Sequence, residues 1–185
     1  MSRPVIGPEK RRPAPAIADM LRVDHAGEYG AVAIYRGQQA VFRQSPATQR
    51  MAEELGGMER EEQKHLDAFD ALLVEHRVRP TLLTPAWNAA GYTLGVVTAL
   101  MGRRAAHACT EAVETVIEEH YAEQADAAEA SHPELAATFR EFREDELHHR
   151  DTAVAGGAKD APLYGLLSQV IRAGCFGAIA VSKRI

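Results

Sequence analysis

Two Glu-x-x-His tetrads, each standing one long helix behind an earlier glutamate, constrain this chain more than any other feature. They are Glu62-Gln63-Lys64-His65 and Glu146-Leu147-His148-His149. Glu28 precedes the first by 34 positions, and Glu114 precedes the second by 32. Positions i and i+3 of an α-helix share a face, so each tetrad aims a carboxylate and an imidazole in one direction. The tetrad alone means little. With 18 Glu and 8 His in 185 residues, roughly 0.8 matches arise by chance. A third match, Glu129-Ala130-Ser131-His132, runs straight into Pro133, where a helix begins rather than continues. It reads as an accident.

Phase separates the other two from chance. A 4,3 spacing through Glu62 passes Met51, Leu55, Met58, His65, Phe69 and Leu72; through Glu146 it passes Leu135, Phe139, Phe142, His149 and Ala153. Both pairs interrupt an apolar seam and therefore point inward. Glu28 shares a seam with Ile17, Leu21, Ala31, Tyr35 and Phe42, but also with Asp24 and Gln38. Glu114 shares one with Thr110, Ile117 and Tyr121. Any single glutamate belongs by default on a solvated face. Four in register with two histidines do not.

Burying four carboxylates is very costly unless they are paired or bind metal. One Glu from each of two helices, plus a Glu-x-x-His from each of two others, is the ligand set of di-iron and di-manganese carboxylate bundles. The charges balance: four carboxylates, two neutral imidazoles and two divalent cations sum to zero. Carboxylate and imidazole ligands without thiolate favour iron or manganese over zinc or copper. The expected assignment gives Glu28, Glu62 and His65 to one metal and Glu114, Glu146 and His149 to the other, with Glu62 and Glu146 bridging. No catalytic side chain is expected beyond these ligands. Asp145 and Asp24 are candidates to orient the metal-bound histidines. Tyr29 and Tyr121 lie close enough in sequence to reach the site, although core packing is the expected role of each. His148 points about 100° away from His149 and is expected at the surface. Gly27, Gly30 and Gly37 serve either close helix packing or open space beside the metals.

The pattern along the chain is all-α: a four-helix core in two repeated pairs, with two additional apolar helices. Residues 1–15, with Pro4, Pro8, Pro13 and Pro15, read as a disordered tail; residues 16–185 read as one domain. Helices are expected from about Ile17 to Arg43, from Ser45-Pro46 to Arg77, from Arg104 to Glu129, from Pro133 to Gly156, and from about Asp160-Ala161-Pro162 onward. Between Thr81 and Gly102 no residue is charged. Pro85, Asn88, four threonines and three glycines make that segment a poor membrane span. A single span there would also split the metal-binding helices between two compartments. It is either buried over the bundle or laid in a membrane interface, where Trp87, Tyr92 and the flanking Arg79, Arg103 and Arg104 would suit it. A net charge of −5 gives no basic excess for nucleic acid. Cys109 and Cys175 read as reduced core residues.

These residues resemble a known family. Arg22-Val23-Asp24-His25-Ala26-Gly27-Glu28-Tyr29-Gly30-Ala31 is similar to the first signature of the demethoxyubiquinone hydroxylases of ubiquinone biosynthesis. Similar stretches follow at Glu62–His65, Arg77–Thr81, Ala108–Thr110 leading to Glu114, Glu146–His149 and Ala173–Cys175. The resemblance spans residues 20–185, departs locally at Val32 and Ala33, and matches all six of the family's iron ligands. It implies a ferritin-like di-iron monooxygenase that holds two iron ions. Its substrates would be dioxygen and the ring of 2-polyprenyl-3-methyl-6-methoxy-1,4-benzoquinol. It further implies electrons from NADH, a reductase or the quinol itself, ubiquinone-biosynthesis proteins as possible partners, and peripheral contact with the cytoplasmic side of a bacterial inner membrane. Two other readings stay open. A ferritin-like iron-binding or ferroxidase protein would form a closed cage with polar outer helices. A di-iron hydroxylase of another substrate, such as a tRNA side chain, fits the charge and the apolar segment poorly.

Overall fold

The computed structural model describes residues 15–184. The expected tail therefore lies, Pro15 apart, outside the described residues. Six helices follow in order: α1 (Pro15–Phe42), α2 (Gln49–His76), α3 (Thr84–Leu100), α4 (Arg103–Ala128), α5 (Pro133–Ala155) and α6 (Tyr164–Ser182). No strand occurs among the described residues. The architecture is the expected ferritin-like bundle: α1, α2, α4 and α5 form the core, α3 packs on α1, and α6 packs on α4.

Local chemistry sets the boundaries. Ser45-Pro46 does not open α2. It caps a single 3-10 turn, Pro46–Thr48, with Ser45 Oγ accepting the Ala47 N–H at 3.3 Å. Thr48 Oγ1 donates to the Phe42 carbonyl at 2.6 Å, tying the turn to the end of α1, so α2 begins at Gln49. α2 stops where Arg77 turns left-handed (φ 55°) and returns its N–H to the Leu73 and Val74 carbonyls. Pro133 occupies the first turn of α5, where its missing N–H costs nothing. α6 starts later than expected: a 3-10 turn, Ala158–Asp160, and a left-handed Leu163 (φ 56°) delay it to Tyr164.

The apolar seams bury as their spacing requires. One cluster joins Leu21, Phe69, Tyr121, Phe139 and Phe142, with Phe69 and Phe139 stacked at 6.4 Å between ring centroids. A second joins Tyr35, Phe42, Met51, Leu55 and Met58. Each such side chain contributes about 1.5–3 kcal/mol on burial. On α2, Glu62 and His65 fall between the residues of the two clusters; on α5, Glu146 and His149 follow directly on the first cluster.

α3 lies against α1 because glycines let the backbones touch. A Cβ on Gly95 would sit 2.1 Å from the Ile34 carbonyl oxygen, one on Gly91 2.6 Å from that of Gly30, and one on Gly37 2.3 Å from that of Tyr92. The uncharged segment thus buries one face, with Gly91, Gly95, Thr98 and Ala99, and exposes Tyr92, Val97 and Leu100 on the other. α6 likewise buries Ile171 but exposes Leu166, Val170 and Phe176. By length and composition α6 is also apolar enough to cross a membrane.

Candidate metal centre and the adjoining cavity

Glu28, Glu62, His65, Glu114, Glu146 and His149 converge from four helices, and none is more than 2 % exposed. They form two overlapping groups, Glu28–Glu62–His65–Glu146 and Glu62–Glu114–Glu146–His149. Within each group the ligand-type atoms lie within 4.8 Å of one another. Glu62 and Glu146 belong to both groups. The third tetrad stays apart: Glu129 pairs with exposed Arg140, and His132 lies beside His76.

Hydrogen bonding divides the atoms of this cluster in two. The outer atoms have protein partners. Tyr121 on α4 donates its hydroxyl to Glu28 Oε1, and Tyr35 on α1 donates to Glu114 Oε1 at 2.7 Å. His65 Nε2 meets Asp145 Oδ2 at 3.1 Å, and His149 Nε2 meets Glu61 Oε2 at 2.7 Å. The inner atoms have none. Both oxygens of Glu62, both of Glu146, Oε2 of Glu28 and of Glu114, and Nδ1 of His65 and of His149 are buried without a hydrogen-bond partner. His149 Nδ1 comes within 2.9 Å of Glu62 Oε1, but not in hydrogen-bonding geometry. Native interiors rarely leave such groups orphaned. Eight here belong to the six residues of the two overlapping groups, the atoms that four carboxylates and two imidazoles would offer to a pair of cations. The residues fit a binuclear metal.

Electrostatics agree. Burial first, then the Glu62 and Glu146 charges, push the Glu28 carboxyl well above its usual range. Burial, then Glu146 and Glu62, do the same to Glu114. Burial alone would depress both imidazoles, yet the Glu146 and Glu62 carboxylates carry His65 and His149 up to about 12. Glu62 is itself held down at about 2, its burial outweighed by those imidazoles. Without metal, protons stand in for the missing positive charge.

Of the two aspartates that were candidates to orient a histidine, Asp145 reaches one and Asp24 does not. The Asp24 carboxylate bonds Gln124 at 2.9 Å and lies 3.7 Å from His120, not beside His65 or His149. Glu61 was missed, although it precedes Glu62 as Asp145 precedes Glu146. Tyr121 touches the cluster; Tyr29 packs against His25 instead, its ring tilted. Tyr35 was assigned to the core, yet it stands seven residues after Glu28, as Tyr121 does after Glu114. His148 is exposed, as expected.

Beside the cluster lies a cavity of about 390 Å³ between α1, α3, α4 and α6. Its walls include Gly27, Gly30 and Ala31 on α1, Val113 and Ile117 on α4, and Cys175 on α6. Gly27 and Ala31 flank Glu28 and Val113 adjoins Glu114, so the cavity reaches the outer side of the metal-binding helices. Nothing lies within 4 Å of a Cβ built on Gly27 or Gly30. Gly37 therefore serves close packing, and Gly27 and Gly30 leave open space. Cys175 and Cys109 are free thiols, and burial pushes them up to about 11 and about 12.

Residues 15–182 match the family model described as Ubiquinone biosynthesis protein COQ7. The chain is 47% identical over 173 residues to the 3-demethoxyubiquinol 3-hydroxylase of Rhodospirillum rubrum, covering 94% of this chain and 80% of that one. It is 44% identical over 176 residues to the NADPH-dependent 3-demethoxyubiquinone 3-hydroxylase, mitochondrial, of Mus musculus, covering 91% and 78%. It is 37% identical over 182 residues to the 5-demethoxyubiquinone hydroxylase, mitochondrial, of Saccharomyces cerevisiae, covering 90% and 77%. With the match running almost the length of α1 to α6, the chain belongs to the ubiquinone biosynthesis protein COQ7 family.

Proposed function

We propose that this protein is a di-iron monooxygenase that hydroxylates the ring of 2-polyprenyl-3-methyl-6-methoxy-1,4-benzoquinol in ubiquinone biosynthesis. The observation that carries the reading is the set of eight orphaned buried atoms, arranged as ligands for two cations beside an apolar cavity. Glu28 and His65 would hold one iron, Glu114 and His149 the other, and Glu62 and Glu146 both. Two ferrous ions bound there would supply electrons and open coordination positions for the activation of dioxygen. One oxygen atom ends in the ring hydroxyl and the other in water, with two electrons and two protons consumed.

The chain's own residues prepare the site. The Tyr121 and Tyr35 hydroxyls hold the outer oxygens of Glu28 and Glu114, leaving the inner ones free to ligate. Asp145 and Glu61 fix the two imidazole rings with Nδ1 inward. The apolar walls exclude water and seat a flat ring against α1 and α4. The name of the mouse relative specifies NADPH, which supports a reduced nicotinamide over a separate reductase as the source of electrons. Exposed Tyr92, Val97, Leu100, Leu166, Val170 and Phe176 on α3 and α6 support a peripheral membrane contact; the finer placement, the cytoplasmic side of a bacterial inner membrane, is part of the same proposal. That apolar face also speaks against a soluble iron-storage cage.

The test is anaerobic loading with ferrous iron, then oxygen, a reductant and a demethoxyquinol, with mass spectrometry of the product. Wild type should give the ring-hydroxylated quinone. Glu62→Ala and Glu146→Ala should each lose both irons and all product. Full activity in either variant would overturn the ligand assignment.

A further inference from the structure

We infer that the polyprenyl tail leaves the cavity sideways, between Ala90 of α3 and Gly174 of α6, and that the small side chains at these two positions set the preference for a tailed ring. The inference rests on the reading of the cavity as the quinol site.

Size comes first. About 390 Å³ is near the lower end for pockets that enclose a small molecule, roughly 300–1,000 Å³. A substituted ring fits; a ring with a long isoprenoid chain does not. The chain must leave, and two ends are closed. At one, the Trp87 indole N–H of α3 donates to Ser182 Oγ of α6 at 3.0 Å. At the other, Ile34, Leu94 and Ile171 pack together with Leu167. α1 and α4 form the floor. The remaining wall is the seam between α3 and α6.

That seam is open. Ala90 and Gly174 both line the cavity, and both are exposed. On α6, Val170, one turn before Gly174, shares both properties and borders the seam. A Cβ built on Gly174 meets nothing within 4 Å. Ala90 and Gly174 are also 84 positions apart, the spacing that relates Glu62 to Glu146 and His65 to His149. They hold equivalent places in the two halves, on the two helices that roof the cavity. Outside lie exposed Tyr92, Val97 and Phe176. A tail emerging here meets apolar surface rather than open water.

A tailless ring can be swallowed whole, after which the opening has no further role. A tailed ring needs it occupied throughout. Narrowing it should therefore discriminate between them. Trp87, the single tryptophan, lines the cavity and reports quinone binding by quenching of its fluorescence. The experiment titrates iron-loaded wild type and Gly174→Leu with two quinones: methoxy-methyl-benzoquinone, and the same ring carrying a triprenyl tail in detergent. A Cβ at Gly174 meets nothing within 4 Å, and a thermal melt and iron content check that the leucine variant folds. The expected result is a Kd at least ~10-fold weaker for the tailed ring and within about twofold for the bare ring. Gly174→Ala should fall between. Equal effects on both quinones, or none on the tailed one, would overturn the aperture. Wild type that binds both yet forms no hydroxylated product would leave the aperture standing and remove the hydroxylase reading. Wild type quenched by neither would overturn both.

Discussion

The bonds from Glu61 to His149 and from Asp145 to His65 cross between the two tetrads, and that crossing gives a sharp prediction. Glu61 lies next to Glu62 on α2, but its carboxylate supports the histidine on α5. Glu61→Gln keeps a hydrogen-bond acceptor and removes only charge. A metal on His149 Nδ1 would lie roughly 6–7 Å from that carboxylate, taking about 2 Å for the metal–nitrogen bond and adding the ring and the 2.7 Å hydrogen bond. For a divalent ion and one negative charge at that distance, attraction is ~1 kcal/mol in bulk water and ~5 kcal/mol at an effective permittivity of 20. Glu61 is 45% exposed, which places it near the weak end. About 1.5–2.5 kcal/mol is the expected loss, or ~10–60-fold in affinity. The loss should fall on the Glu114–His149 metal alone. Asp145→Asn should weaken the Glu28–His65 metal by a similar amount, and the double variant both. Ferrous titration followed by Mössbauer spectroscopy resolves the two sites. Equal weakening of both metals by Glu61→Gln, or weakening of the His65 site, would refute the crossed support.

Four further outcomes follow. Because His65 and His149 are carried up to about 12, and burial with neighbouring charge pushes Glu28 and Glu114 up as well, iron(II) binding at neutral pH should release at least the two imidazole protons and tighten as pH rises; calorimetry in buffers of different ionisation enthalpy counts them, and no release would contradict the protonated cluster. The same raised imidazoles stabilise the metal-free fold fully below about 6.5, and that contribution is lost as pH climbs toward about 12, so melts of metal-free protein should move down with pH. Gly95→Ala should lower the melting temperature by up to about 8 °C, since overpacking against the Ile34 backbone (about 1–3 kcal/mol) offsets and exceeds the helix preference of alanine (about 1 kcal/mol), whereas Gly57→Ala, with nothing near its Cβ, should raise it by about 2–4 °C; equal shifts would show that α3 is not held in backbone contact. Val97→Asp with Leu166→Asp should abolish flotation with liposomes while iron content stays unchanged, and unchanged flotation would remove the membrane proposal.

Much of the centre was legible in sequence because helical periodicity is a strong constraint. Met51, Leu55, Met58 and Phe69 bury with Glu62 and His65, and Leu135, Phe139 and Phe142 bury with Glu146 and His149. A seam says which side chains point inward; it does not say which meet across the core. Asp24 and Glu61 show the limit. Asp24 is inward and one turn from Glu28, yet the structure gives it to Gln124. Glu61 lies off the seam, half-exposed, and reaches His149 over the rim. The uncharged segment posed a choice between burial and interface; the helix buries one face, with Gly91 and Gly95, and exposes the other, with Tyr92, Val97 and Leu100, a division invisible to a count of charges. Leu94 lines the cavity and Val97 is exposed, so Val97 is the residue of that segment that tests the proposed membrane contact.

The two additional helices are not additions to a repeated pair; each completes a repeat. Glu28, Tyr35, Glu61, Glu62 and His65 on α1 and α2 correspond to Glu114, Tyr121, Asp145, Glu146 and His149 on α4 and α5, and their hydrogen bonds correspond too. α3 and α6 follow as third members. The halves differ where the cavity lies. α3 carries Gly91 and Gly95 and touches the backbone of α1, whereas the equivalent positions of α6, 84 residues on, are Cys175 and Ile179. On the floor, Gly27 and Gly30 of α1 correspond to Val113 and Val116 of α4. Side chains thus stand α6 away from α4, and missing side chains hollow out α1. Two such halves could bury a symmetric pair of metals with no room for a substrate. The asymmetry of a few small residues opens the space beside Glu28, so a ring bound there lies nearer one terminal ligand than its mate. The two metals should then differ in their response to a bound quinone, with the Glu28–His65 site the more perturbed.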